Sequence, residues 1–124
     1  MAKLKRVVMM HDTMDARGGA TTLARLSALE YRALGLDVVF ITGVADDGSL
    51  AEHGIETIGL GQAKLRGQSK LEALTGGLYN RNTVATVSDW IKRNDTPDTA
   101  YHLHNWAQIL SPSIFAALDP VANR

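Results

Sequence analysis

The chain has 124 residues, the size of one domain, and its 45% hydrophobic content is enough for a single core. Thirteen basic and thirteen acidic side chains cancel, which argues against a nucleic-acid protein held mainly through phosphate contacts. With no cysteine there is no disulfide framework, thiolate zinc site or cysteine nucleophile.

The opening segment MAKLKRVVMMHD carries basic residues and then an apolar run too brief for a signal-peptide core. No segment approaches the length of a membrane span, so a soluble, cytoplasmic chain is expected. Leu4 to His11 predicts a buried strand, apolar and β-branched at its centre. The polar loop DTMDARGG leads into a helix over Thr21 to Leu34. Leu26, Leu29 and Ala33 form its expected apolar stripe, and Gly35 stops it. Leu36 to Thr42 predicts a second buried strand, ADDGS a turn, Leu50 to His53 a short helix at most, and Ile55 to Leu60 a third strand.

Gly61 to Gly77, with three basic residues and one acidic, reads as a connecting loop. Its positive balance also suits contact with an anionic acceptor or a membrane surface. In Asn82 to Asn94, Val84, Val87 and Ile91 recur at helical spacing, and the stretch Asp95 to Asp98, with Pro97, breaks the pattern. Thr99 to His104 predicts a fourth strand. Ser111-Pro112 then supplies an N-cap and a proline at the first helical position, with Ile114, Phe115 and Leu118 on one face and Asp119-Pro120 as the stop.

Strands alternating with helices predict an α/β fold: a Rossmann-like parallel sheet of about four strands, order 3-2-1-4, with helices on both faces. In such sheets ligands bind beyond the carboxyl ends of the strands, where the strand order reverses. The loops His11 to Gly19 and His104 to Ser111 are expected to meet there. Arg17, Gly18 and Gly19 precede a helix, where paired glycines let the backbone approach a ligand and the helix N-terminus favours a phosphate. The pair also fits an ordinary tight turn. It is neither a dinucleotide fingerprint nor a P-loop, since G-x-G-x-x-G and Gly-Lys-Ser/Thr are both missing.

His102 and His104 are two apart in a strand and share a face, so together they could hold a metal. His11 is the one further ligand at that sheet edge, short of the four a structural zinc needs, so no metal is expected. His102, inside the strand, is expected to be packed and hydrogen-bonded beneath a helix. His104 and Asn105, at the strand's end, are better placed to meet a ligand. Trp106 reads as a lid or as an anchor for the next helix.

Three segments together resemble the GT-B glycosyltransferases of family 4 type. GGATTLARLSALEYRALGLDVVFIT resembles that family's glycine loop, first helix and second strand. PDTAYHLHNWAQILSPSIFAAL resembles its Pro-Asp step into a strand ending His-x-His-Asn, followed by a Ser-Pro-Ser helix. GLYNRNTVATVSDWIKRN looks like the helix before that strand. The resemblance implies a nucleotide-sugar donor, a sugar, glycan or lipid-linked acceptor, a retaining and metal-independent transfer, and no cofactor. It carries over the donor diphosphate loop to Arg17, Gly18 and Gly19, and the cleft lining to His11, His104, Asn105, Ser111 and Ser113.

Two departures from the family's pattern stand out. Leu36-Asp37 replaces its Gly-His step, and the sequence ends at Arg124, where the resemblance places a fifth strand and then a nucleotide-sugar-binding domain. Residues 1–124 therefore read as an incomplete N-terminal GT-B domain, expected to be inactive alone and to pair with a second copy through an exposed strand-four edge. A free-standing α/β ligand-binding or regulatory domain without catalysis is the alternative.

Overall fold

The computed structural model describes residues 4–13, 19–61, 81–105 and 113–123, together with the path of each element they form. Four strands, β1 (Arg6–His11), β2 (Asp37–Thr42), β3 (Glu56–Gly59) and β4 (Thr99–Asn105), build one parallel sheet in the order β3-β2-β1-β4. The helices are α1 (Gly19–Ala33), α2 (Arg81–Asn94) and α3 (Ser113–Leu118), with 3₁₀ turns at Ala51–His53 and Asp119–Val121. The predicted fold class and strand order are the ones formed, with each boundary displaced by two residues at most.

Alternation along the central strands divides the core in two. Val7 and Met9 of β1, with Val38 and Phe40 of β2, face Ala24 and Ala28 of α1. Val8 and Met10, with Val39 and Ile41, face Val87 and Ile91 of α2 and Ile114 and Ala117 of α3. Both faces of β1 and β2 are therefore dry, which is why these strands read as unbroken apolar runs and do not alternate with polar residues.

The packing of α1 differs from the sequence expectation. Leu26 is 53% exposed and Ala33 is also exposed, and Leu29 lies partly buried at the margin. The buried stripe is Thr21, Ala24 and Ala28, continued by the partly buried Tyr31. The physical reason lies in the sheet: Met9 and Phe40 already fill the interlayer space, so only small side chains let the helix backbone come close. A similar correction applies to α3, where Phe115 is 51% exposed and Ala117 takes the buried position beside Ile114.

At the end of α1, Gly35 adopts a left-handed conformation at φ 89°. Its N–H donates to the Arg32 carbonyl and the Leu36 N–H to that of Tyr31, so two orphan helix carbonyls are satisfied. The ADDGS turn closes through the Gly48 and Ser49 amides, which donate to the Asp46 and Asp47 carboxylates. Leu50, fully buried, then seals the α1 side of the core ahead of β3.

Candidate functional site

The carboxyl ends of β1 and β4 meet at an irregularity. Pairing runs in register from Arg6 with Thr99 to Met10 with Leu103, and then His11 aligns with Asn105. His104 is thus the extra residue of a bulge, two β4 residues standing opposite one on β1. The two rings come together there: His104 Nδ1 lies 3.2 Å from His11 Nδ1, with ring centroids 5.1 Å apart and edge to face.

His11 is 1% exposed and does not open to solvent; it stands behind His104, which is half-buried. On its other side His11 Nε2 meets Thr21 Oγ1 at 2.9 Å, and Thr21 Oγ1 meets Thr13 Oγ1 at 2.8 Å. The first turn of α1 is thereby fastened to the end of β1. Asp12, next in the chain, is also buried, and its carbonyl accepts from the Gly43 amide and the Thr42 hydroxyl, which joins the β1 and β2 ends.

Burial pushes the His11 pKa down from 6.5 to about 4, the His104 charge pushes it the same way, and the Asp12 carboxylate opposes both. His11 is therefore a neutral imidazole at physiological pH. His102 is also lowered, by burial first and then by His104. It packs as the sequence predicts: Nδ1 sits 3.1 Å from the Tyr31 hydroxyl of α1, beneath the helix.

Of the residues predicted to form the site, His11 and His104 are in contact, and Gly19 opens α1, where an added Cβ would meet nothing within 4 Å among the described residues. The side chains of Asn105 and Ser113 lie outside the described residues, as do Arg17, Gly18, Trp106 and Ser111 entirely. Thr13, Thr21 and Tyr31 escaped the sequence reading. The signal for Thr21 and Tyr31 is their spacing with Ala24 and Ala28, a helical stripe of its own.

Among the described residues no three or more ligand-type side chains are arranged to hold a metal ion. A depression of about 200 Å³, lined by Arg6, Asp37, Glu56 and Trp90 among others, lies at the amino ends of the strands, away from the histidines. Its Arg6 guanidinium is engaged with the Asn94 carbonyl and the Trp90 ring. The carboxyl ends are where open α/β sheets place their chemistry, and the histidines occupy them.

Over 97 residues, 76% of its length, the chain is 29% identical to the UDP-N-acetylglucosamine--N-acetylmuramyl-(pentapeptide) pyrophosphoryl-undecaprenol N-acetylglucosamine transferase of Bacillus subtilis (strain 168). The similarity is to a glycosyltransferase. The chain spans about a quarter of that relative's length, 26%. No family model matches the chain, and no solved structure matches it. Among the described residues no helix is long and apolar enough to cross a membrane.

Proposed function

We propose that residues 1–124 belong to the N-terminal, acceptor-side domain of a GT-B glycosyltransferase of family 4 type. The enzyme moves a sugar from a nucleotide-sugar to a sugar, glycan or lipid-linked acceptor. The carrying observation for a glycosyltransferase is the match over 97 residues, and the family 4 type rests on the resemblance of the three sequence segments. The strand order supports it by bringing His11, His104 and the start of α1 to one edge of the sheet.

In this reading Arg17, Gly18 and Gly19 lie beside the donor diphosphate, where amides in the first turn of α1 present partial positive charge. His104, Asn105, Ser111 and Ser113 line the acceptor side of the cleft. The transfer is retaining and needs no metal, and the enzyme works in the cytoplasm, touching the membrane surface where the acceptor is lipid-linked. Residues 1–124 supply one wall of the cleft, and the positioning that transfer needs requires both walls.

Titration of the ¹⁵N-labelled chain with UDP, GDP and NAD tests the reading. UDP or GDP is expected to shift the amides of Gly19, Ala20 and His104, weakly, because in this reading the acceptor-side domain makes few of the nucleotide's contacts. Equal or stronger shifts with NAD, or none at these amides with any nucleotide, would refute it.

The same reading includes a homodimer. β4 is an end strand of the described sheet, and an open strand edge is a template for pairing with another chain. Sedimentation at high concentration is expected to show a dimer, and a clean monomer would remove this element of the reading.

A further inference from the structure

The contacts around His11 form a chain of four groups, each able to donate or to accept. From the sheet edge inward it runs His104, His11, Thr21, Thr13, with separations of 3.2, 2.9 and 2.8 Å. Its middle members are sealed, with His11 at 1% and Thr21 at 5% exposure, while its ends, His104 and Thr13, are half-buried and reach water. A hydroxyl and a neutral imidazole each carry one proton and one usable lone pair along such a line. The line can therefore be occupied in two opposite senses.

We propose that His104, His11, Thr21 and Thr13 form a proton relay that lets His104 Nε2 present either an N–H or a lone pair to a hydroxyl-bearing ligand. In one sense His104 Nδ1–H donates to His11 Nδ1, His11 Nε2–H donates to Thr21, Thr21 donates to Thr13, and His104 Nε2 is bare. When Nε2 takes up a proton from a ligand hydroxyl, each member passes one proton inward and Thr13 releases one to water. One proton enters and one leaves, and the line then points the other way. No buried charge persists, as the desolvated position of His11 requires. His11 and Thr21 are positioning residues here, and only His104 touches ligand.

Other titratable groups facing the pair are Asp12, next to His11, and His102, whose ring centroid is 5.8 Å from that of His104 and whose Nδ1 is occupied by Tyr31. Neither completes a metal site with the pair among the described residues. The choice of a sugar hydroxyl as the ligand rests on the glycosyltransferase reading; the relay itself is a property of this chain.

Long-range ¹H–¹⁵N spectra of the histidine rings at pH 7, recorded without nucleotide, test the relay. The native chain is expected to show both His11 and His104 averaged between two tautomers. Thr21→Val, close to isosteric, is expected to move the His104 ring nitrogens to one pure tautomer although Thr21 does not touch His104. Thr21→Ser restores the averaging. A role of Thr21 in packing alone would leave His104 unmoved in T21V, and that result overturns the relay. Should T21V fail to fold, the half-buried Thr13→Val carries the same expectation at His104, and an unchanged tautomer average there is equally decisive. Stoichiometric capture of Zn²⁺ by both Nδ1 atoms would also overturn it, since the pair would then be a metal ligand set. Shifts at Gly19 with nucleotides report on the glycosyltransferase reading separately, so the two can fail independently.

Discussion

Lowering the pH from 7 to 4 is expected to remove about 3 kcal/mol of stability through His11 alone. The unfolded imidazole binds a proton near pH 6.5, whereas in the folded chain burial holds the pKa at about 4. Between those values the unfolded state carries more protons, so stability rises with pH there. The contribution is complete above about pH 6.5, is lost progressively on acidification, and changes no further below about pH 4. His102, lowered for the same leading reason, adds loss in the same direction. Urea unfolding at pH 7, 5.5 and 4.5 measures the slope. His11→Gln, which takes up no proton in this range, is expected to flatten most of it. A slope unchanged in H11Q would show that the acid sensitivity belongs to other groups.

Gly59→Ala is expected to cost about 3 kcal/mol, at the upper end of what overpacking does. Gly59 closes β3 opposite Thr42, and the segment following β2 folds directly over it. A methyl group there would collide with the Asp46 amide nitrogen and stand 2.7 Å from the Val44 carbonyl oxygen. Both are backbone atoms, so no side-chain rotation relieves the clash and residues 43–46 must move. Gly35→Ala is the control: it introduces left-handed strain of about 1 kcal/mol but meets nothing within 4 Å among the described residues. Urea midpoints for the two variants decide the matter, and G59A no worse than G35A would mean that the loop yields freely. Displacing the loop has a second consequence. Thr42 and Gly43 hold the Asp12 carbonyl, so G59A is also expected to disturb the histidine pair next to it.

Much of the fold could be read from the residues because β1 and β2 are buried on both faces and announce themselves as apolar runs. Gly35 and the ADDGS turn were equally plain, since each has a local backbone reason. The stripe on α1 was misread because large apolar residues look more committed to a core than alanines do. Against a sheet presenting Met9 and Phe40, closeness of approach decides the contact, and Leu23 and Leu26 are turned outward. The packing of His102 was legible from its place inside a strand. The meeting of His11 with His104, 93 residues apart, follows from pairing β1 with β4, but the direct contact depends on an extra β4 residue. No glycine or proline marks that bulge within His102 to Asn105. Thr13 and Thr21 gain meaning only when the end of β1 and the start of α1 are brought together.

The bulge also separates two kinds of design freedom. Up to Leu103, a residue gained or lost in β4 would exchange the two faces and put Tyr101 and Leu103 on the wrong side of the sheet. Beyond Leu103 the register is already broken, so that demand no longer applies. A residue gained or lost at the bulge would leave the pairing of Arg6 to Met10 with Thr99 to Leu103 in place. Changes of length in β4 should therefore be tolerated at His104, whereas between Thr99 and Leu103 only substitutions keep the two faces as they are.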